Sequence, residues 1–436
     1  METYSWDVVY ACSGSYVNAQ LSRSCATYIQ AFTYEDSIVD LSGQFDAWKL
    51  VPGGSGTLLH FECPIPQGTL RIKEQNRVVS LKEIVPLVQM QLTLIQGSGQ
   101  KVTHRLVFHC TRVGEKKDDQ TPGTVTVINP DVSGVLQKQK GGTLIAGVLA
   151  TALARCFVHN AAQLSYVFAD LLPTPTGTNS TWLVPQSLAY CYQQPNDGSL
   201  GGLAILGLLR DASTALLPRT FDATLLMSSD FGFLLSAGQF MQHVVLPALL
   251  ATLQGKARPD DLHVDVEGGT LTLAKSFDLD RVKVGLINYT PKVTALCFHI
   301  EDTCLRCAMT TKTSITGLAS AFITNSISSR HSVVFDRKTR TLSFQKDPYM
   351  VTTQNAHIPW WESVVGVLTL GIMNVVTEAV SLAIENAVSS MESSKTAPHF
   401  GHMTPGLVNW SGQEDVTIIQ GGLRNSIYMQ GVMRTS

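Results

Sequence analysis

The chain has 436 residues, of which 15% are charged and 44% are hydrophobic, and its formal net charge is −2. This length is sufficient for two domains or one very elongated domain, and the lack of a basic excess argues against nucleic acid as a partner. The nine cysteines are an odd number scattered over the chain, which is more typical of buried thiols than of disulfide bridges.

The first residues, METYSWDVVYACS, contain two acidic side chains, and no lysine or arginine precedes position 23. A secretory signal needs a basic start and an uninterrupted apolar run. The sequence therefore predicts a cytoplasmic protein, with release by a non-classical route left open. Aromatic or apolar residues recur at alternate positions and predict a first strand or edge segment with one packed face, formed by Tyr4, Trp6, Val8 and Tyr10.

The first half of the chain then changes between helical and strand patterns. A helical spacing of apolar residues predicts a first helix over about 14–31. Two alternating runs, at 88–95 and 102–110, are separated by the turn GSG and predict a long hairpin. A second helix is predicted over about 141–172, and the uncharged segment 171–181, rich in proline and threonine, is the best candidate for a linker.

The second half repeats this order of helix, hairpins and long helix. We predict a third helix over about 236–254, hairpins at 263–275 and 331–345, a fourth helix over about 359–391, and a last hairpin within 415–431. The fourth helix has 15 uncharged residues between Glu362 and Glu378. A bilayer span needs about 20, so this helix is predicted to be buried in protein, with at most peripheral membrane contact.

These elements predict an α+β fold in which elongated, strongly curved antiparallel sheets wrap around long helices. The order of elements suggests two modules, residues 1–178 and 179–436, the second with the helix at about 359–391. A sheet with one apolar face can bury the sides of a very apolar helix, and an apolar groove between them would suit an acyl chain.

The amino-terminal stretch and the amphipathic helix after it resemble the clostridial forty-seven-kilodalton protein family, whose genes lie beside botulinum neurotoxin genes of the Orf-X type. The residues that carry the resemblance are Thr3, Tyr4, Trp6, Asp7, Val9, Tyr10 and Cys12. The resemblance extends to chain length and element order. It implies the tubular lipid-binding (TULIP) fold of bactericidal permeability-increasing protein, a bacterial, toxin-associated context, and no catalytic motif.

Two cysteine patterns are candidate catalytic or metal sites. Cys304 and Cys307 have the spacing of a redox pair or half a zinc site, but no second ligand pair is present and the flanking residues read as strands. Cys12 lies between a strand and a helix and has no nearby basic residue in sequence, although His60 or His104 remain candidate spatial partners. We therefore predict no catalytic residues, no metal, no cofactor and no enzymatic activity.

The sequence predicts a non-enzymatic protein that binds lipid or another apolar ligand, and a role accessory to a bacterial toxin is left open. The alternative is a scaffold that holds no lipid and assembles with proteins of the same gene cluster. An enzyme that uses Cys12 or Cys304 is a third hypothesis. The residues predicted to line an apolar groove, each equally well explained as core, are Leu149, Leu153, Phe157, Trp360, Trp361, Val365, Leu368, Ile372, Val376 and Leu382. Trp360 and Trp361 would lie at the entrance of this groove or pack the end of the helix against the rim of a sheet.

Overall fold

The fold is taken from a computed structural model. It describes residues 1–28, 31–96, 103–164, 166–172, 181–317, 320–338, 341–345, 347–357 and 408–435, together with single positions between 374 and 388. The described positions between 374 and 388 are helical, within the range predicted for the fourth helix. The rest of that prediction, and most of the linker candidate at 171–181, lie outside the described residues.

The helices are α1 (Gly14–Tyr28), α2 (Gly142–His159), α3 (Ala237–Phe240) and α4 (Leu246–Leu253), with a π-turn at Met241–Val245 and 3₁₀ turns at Leu136–Lys138, Thr181–Leu183, Ala223–Leu226 and Pro259–Asp261. The strands of the first half are β1 (Val8–Ser13), β2 (Ala31–Glu35), β3 (Val39–Gln44), β4 (Lys49–Ser55), β5 (Leu58–Glu62), β6 (Gln67–Ile72), β7 (Arg77–Ser80), β8 (Leu87–Gln96), β9 (His104–Phe108), β10 (Arg112–Val113), β11 (Thr124–Asn129), β12 (Val167–Leu171), β13 (Ser187–Gln193) and β14 (Gly202–Leu208).

The strands of the second half are β15 (Phe231–Leu235), β16 (Leu262–Asp265), β17 (Thr270–Leu273), β18 (Phe277–Asp278), β19 (Val282–Val284), β20 (Ile287–Tyr289), β21 (Lys292–Glu301), β22 (Cys304–Ser314), β23 (Phe322–Asp336), β24 (Thr341–Phe344), β25 (Val351–His357), β26 (Val408–Trp410), β27 (Gln413–Leu423) and β28 (Ile427–Thr435). The α+β class with curved, mainly antiparallel sheets packed on helices is confirmed.

The strands form three large sheets. The central sheet has the order β13-β14-β1-β15-β28-β27. The amino-terminal sheet has the order β10-β11-β8-β9-β12-β26, and β4 and β5 join it through β8. The carboxy-terminal sheet has the order β16-β17-β21-β22-β23-β24, with β18 beside β21 and β25 beside β23. Two smaller sheets, β2-β3-β6-β7 and the hairpin β19-β20, complete the described part of the fold.

Strand β1 lies in the middle of the central sheet, with β14 on one edge and β15 on the other. Its prediction as a strand is confirmed, but it is not an edge segment. Val8, Tyr10 and Cys12 face the main core, whereas Val9 and Ala11 face a second cluster that also contains Trp6. Both faces of β1 are buried because packed side chains cover them, and both of its edges are paired with neighbouring strands.

The predicted common face of Tyr4, Trp6, Val8 and Tyr10 is therefore wrong. The chain turns through Tyr4 and Ser5, whose φ angles are 51° and 69°, and the strand begins only at Val8. This turn leaves Tyr4 exposed and directs Trp6 into the second cluster, where its indole Nε1 donates to the carbonyl oxygen of Pro218 at 2.8 Å.

The predicted hairpins at 88–110, 263–275, 331–345 and 415–431 are confirmed as β8–β9, β16–β17, β23–β24 and β27–β28.

The first helix is confirmed as α1. The third is confirmed over Ala237–Leu253, with the π-turn preceding Pro247. Because proline lacks an N–H and its ring crowds the preceding turn, a wider turn accommodates it.

The second helix is shorter than predicted, since α2 ends at His159 and residues 167–171 form strand β12. Asn160 ends the helix: its side-chain Nδ2 donates to the carbonyl oxygen of Cys156 at 2.8 Å and to that of Thr33 at 2.9 Å. These bonds satisfy a carbonyl at the helix end and tie that end to β2. The division at 178/179 stays a prediction, although β1 pairs with strands that lie beyond it.

Tyr10 provides a test of the central position of β1. Its ring centroid lies 5.2 Å from that of Phe233, its side chain is 1% exposed, and its hydroxyl has no hydrogen-bond partner in the part of the chain that the structure describes. A buried hydroxyl without a partner costs about 1–3 kcal/mol. We therefore expect Tyr10→Phe to leave the free energy of unfolding unchanged or raise it by about 1 kcal/mol, measured by urea denaturation.

The matched variant Tyr10→Ala removes the ring as well and should lower the free energy of unfolding by about 3–5 kcal/mol, the usual cost of truncating a large buried aromatic. Equal destabilisation by the two variants would show that the Tyr10 hydroxyl, rather than its ring, stabilises the fold. That result would contradict this account of β1.

Candidate functional site

The α2 residues predicted to line a groove, Leu149, Leu153 and Phe157, are fully buried in the main core. The ring of Phe157 stacks on Phe45 with centroids 5.3 Å apart and meets Trp48 edge-on at 5.7 Å. Aromatic pairs of this kind are favourable beyond their buried area. The space between this face of α2 and the sheets is thus filled by the protein's own side chains.

The other predicted groove residues belong to the fourth helix. Trp360, Trp361, Val365, Leu368, Ile372 and Val376 lie outside the described residues. Leu382 is described and is 55% exposed, while Val388, six residues further along the chain, is buried. A ligand-binding role for this helix stays a prediction.

The opposite face of α2 borders an apolar groove of about 650 Å³. The other wall is formed by the end of the β2–β3 hairpin, including Ile38 and Val39. From α2, the residues that line it are Thr143, Leu144, Gly147, Val148, Thr151, Ala152 and Arg155. Positions 143 to 155 span about 18 Å of helix at 1.5 Å per residue, so the groove follows most of the length of α2.

The groove has an unusually apolar surface for an exposed helix face. Leu144 is 57% exposed and Ile38 is 46% exposed, and Gly147 adds open space, since a Cβ there would meet no atom within 4 Å. The sequence contained a signal for this face: no charged residue occurs between Lys140 and Arg155. The groove residues predicted on α2, Leu149, Leu153 and Phe157, all lie on its buried face, and sequence reasoning missed the accessible face.

One end of the groove is closed by an ion pair between Arg155 and Asp36, with Nη1 3.0 Å from Oδ2. The carboxylate of Asp36 also accepts hydrogen bonds from the backbone N–H groups of Val39 and Ile38, at 2.9 and 2.8 Å, and from the hydroxyl of Tyr34 at 3.0 Å. These bonds, chiefly those of the two backbone N–H groups, lower the pKa of Asp36 to about 2. Both partners therefore stay charged at neutral pH.

The start of α2, next to the other end of the groove, carries basic residues. Helix α2 begins after Gly141, which has a left-handed conformation (φ 73°) and supplies no side-chain cap. The Arg77 guanidinium lies against this turn, and its Nη2 donates to the carbonyl oxygen of Lys140 at 2.6 Å. Lys138 and Lys140 are exposed beside it. Arg77 and Lys140 therefore lie beside the positive end of the helix dipole, within one turn of Thr143, the first α2 residue that lines the groove.

Among the described helices, α2 is the one that is long and apolar enough to cross a membrane, and 44% of its residues are buried in the fold. Core helices can have the same composition. Its packing against β2, β3, β10 and β11 identifies α2 as a helix between two sheets with one accessible face.

Cys12 is inaccessible, and Cys304 and Cys307 do not form a pair. Cys12 is fully buried, and desolvation raises the pKa of its thiol far above the ordinary value. Its surroundings include Tyr16, Tyr166 and Trp410 rather than His60 or His104. Cys304 and Cys307 lie three positions apart on strand β22, so their side chains point to opposite faces of the sheet. The reading of CLRC as strand residues is confirmed.

A serine–histidine pair that sequence reasoning missed lies on β23. His331 Nε2 is 3.0 Å from Ser329 Oγ, and His331 Nδ1 is 3.2 Å from the carbonyl oxygen of Gln345. Since a carbonyl only accepts, the proton is on Nδ1 and the serine donates to Nε2, as in a nucleophile–base pair. Both side chains are at most 2% exposed, so a substrate has no access to Ser329 in this structure.

Comparison with known proteins gives consistent matches over nearly the whole chain. The family described as OrfX-like, Protein OrfX2/OrfX3/P47, matches residues 3–394. Protein P47 of Clostridium botulinum (strain Kyoto / Type A2) is 24% identical over 395 residues, which cover 89% of this chain and 90% of P47. Protein OrfX3 of the same strain is 20% identical over 343 residues, covering 72% of this chain and 69% of OrfX3.

Two solved structures are similar in fold. The structure of P47 from C. botulinum A2 has a TM-score of 0.74 and 22% sequence identity, with 99% of this chain and 98% of that chain covered. The structure of P47 of C. botulinum E1 has a TM-score of 0.74 and 18% identity, with 99% and 100% covered. At these identities the comparison establishes the shared fold.

The Asp36 environment predicts a pH dependence of stability. Because the folded-state pKa of Asp36, about 2, lies below the unfolded value of about 3.9, its charged form stabilises the fold above pH 4. This contribution is lost as pH falls towards 2. We expect Asp36→Asn to lower the melting temperature at pH 7 and the difference from wild type to shrink between pH 5 and pH 2, measured by thermal denaturation.

Asp211→Asn, at an exposed loop position, controls for the loss of one negative charge. A constant difference between wild type and Asp36→Asn across this pH range would mean that the hydrogen bonds, and not the charge, account for the effect.

Proposed function

Since the chain belongs to the OrfX2/OrfX3/P47 family, as its amino-terminal residues predicted, we propose that it is a non-enzymatic lipid-binding protein of the tubular type, accessory to a bacterial toxin. It holds an acyl chain in the groove along α2. The observation that carries this proposal is the accessible face of α2 opposite Ile38 and Val39, which is about 18 Å long and carries no charged residue before Arg155.

The apolar walls favour a hydrocarbon tail. Moving apolar groups from water onto such a surface contributes about 0.8 kcal/mol for each fully buried CH₂ group. Because the groove is open along one side, a bound tail stays partly hydrated and gains less than this for each group. The tail lies along Leu144, Gly147 and Val148 and ends at the Asp36–Arg155 pair.

The charges orient the ligand. Asp36 offsets Arg155 at the closed end, whereas Arg77, Lys138 and Lys140 have no comparable acidic partner among the residues lining the groove. A carboxylate or phosphate head group is therefore stabilised at the amino-terminal end of α2, near Arg77 and Lys140. The proposal is an anionic lipid bound with its head at this end and its tail towards Arg155, in a protein of the cytoplasm.

Gly147 allows a direct test. We expect Gly147→Phe to fill the groove and lower the affinity for a fluorescent fatty acid at least tenfold, because the ring occupies the space of the tail. The fluorescence titration is accompanied by native mass spectrometry of the purified protein, which should show lipid in wild type and not in the variant.

Gly147→Ala is the matched control. Its methyl group meets no atom within 4 Å, and replacing glycine within a helix stabilises it by up to about 1 kcal/mol, so binding should persist. A second variant, Arg77→Gln with Lys140→Gln, should weaken binding of a fatty acid more than that of its methyl ester. Lipid-free wild-type protein that also fails to bind the fluorescent fatty acid would refute the proposal.

A second candidate function is assembly with products of the same gene cluster, and strand β25 favours it. Six of its seven residues are exposed, and within the described part of the chain it pairs with β23 alone. An exposed strand edge can add a strand from a partner. Successive backbone N–H groups of a strand point to opposite edges, so one of Thr352 and Thr353 presents its N–H to the free edge of β25. Of the separate variants Thr352→Pro and Thr353→Pro, the one at that edge should abolish co-elution with a cluster protein without changing fatty-acid binding.

A further inference from the structure

The hairpin β19–β20 is separate from the large sheets and ends in an apolar tip. Val284 and Ile287 are cross-strand partners, and the two residues between them, Gly285 and Leu286, form the turn. Gly285 has a φ of 63°, which suits the first central position of a two-residue hairpin turn. Leu286 follows it and is 96% exposed, and Ile287 is 40% exposed.

The base of the hairpin is fixed on the protein. Tyr289 is buried in the main core, Val282 is 8% exposed, and Val284 packs partly against the core. The tip therefore projects from an anchored base instead of hanging on a loose loop. A single exposed leucine is common on protein surfaces, but here residues 284–287 contain no polar side chain at all.

The tip is flanked by positive charge. Arg281 and Lys283 are exposed, and no aspartate or glutamate occurs from position 281 to position 300. The two acidic residues just before the hairpin have basic neighbours: Asp280 forms an ion pair with Lys256, and Asp278 lies opposite Lys292 in the strand register. The tip thus combines aliphatic side chains with basic groups that are not offset within the hairpin.

We propose that this hairpin docks on the surface of an anionic lipid bilayer. Leu286 and Ile287 enter the boundary between head groups and acyl chains, and Arg281 and Lys283 contact lipid phosphates. Aliphatic side chains below a row of basic groups match the two layers of a membrane interface. The complementary charge favours a membrane over an uncharged protein pocket. This inference does not depend on the groove along α2, which lies on a different element.

The test is vesicle flotation of the whole protein with phosphatidylcholine vesicles and with vesicles that also contain phosphatidylglycerol. We expect wild type to float with the anionic vesicles and binding to decrease at high salt. Leu286→Ser should lower the partition coefficient about tenfold, as expected for removing one leucine from the apolar layer. Lys283→Gln should lower it about fivefold, the effect of one basic residue near an anionic surface.

Leu216 supplies the matched control, because it is 97% exposed on another loop, between Asp211 and Arg219. Leu216→Ser should bind vesicles like wild type. Insertion is tested separately with Leu286→Trp, whose fluorescence should be quenched by brominated lipid, whereas that of Leu216→Trp should not.

The inference is overturned if wild type floats with neither vesicle, if it binds neutral and anionic vesicles equally, or if Leu286→Ser and Leu216→Ser bind alike. Gly147→Phe separates this inference from the proposed function, since it should lose fatty-acid binding and retain flotation. Leu286→Ser should show the reverse.

Discussion

Strand β1 has hydrogen-bonded strands on both edges and packed side chains on both faces, and this double burial is the constraint on which the described architecture depends. Its neighbours β14 and β15 come from the middle of the chain, and β15 pairs in turn with β28, near the last residues. Val8 to Cys12 are each at most 1% exposed. The amino-terminal segment is therefore an integral part of a sheet built mainly from later strands, and the two halves of the chain share one main core.

Dense side-chain packing beside α2 also limits where a ligand can bind. Phe45, Trp48, Phe108 and Phe157 fill the volume between α2 and the curved sheets, with ring centroids 5.2–6.4 Å apart in the pairs between Trp48, Phe108 and Phe157. Close packing of this kind leaves little room for a guest without rearrangement. An apolar ligand is therefore better placed on the outer face of α2, where Gly147 and the end of the β2–β3 hairpin leave space.

The groove and the β19–β20 hairpin share a physical character. Each combines accessible apolar side chains with nearby basic side chains that outnumber their acidic neighbours. The net charge of the whole chain is −2. These two places therefore carry a local excess of positive charge that the net charge does not reveal. The two features lie on different elements, so substitutions can test them separately.

The sequence by itself determined the local structure and the family. Alternation of period two, interrupted by short turns, located the hairpins β8–β9, β16–β17, β23–β24 and β27–β28, because side chains in a strand alternate whatever the strand packs against. Tertiary structure decided what each face contacts. It placed β1 in the centre of a sheet, sent Trp6 and Val8 to different clusters, ended α2 at Asn160, and filled the expected groove beside Leu149, Leu153 and Phe157 while opening another on the far side of the same helix. Periodicity reports only that a face is apolar; whether side chains, a sheet or a ligand cover it depends on residues distant in the chain.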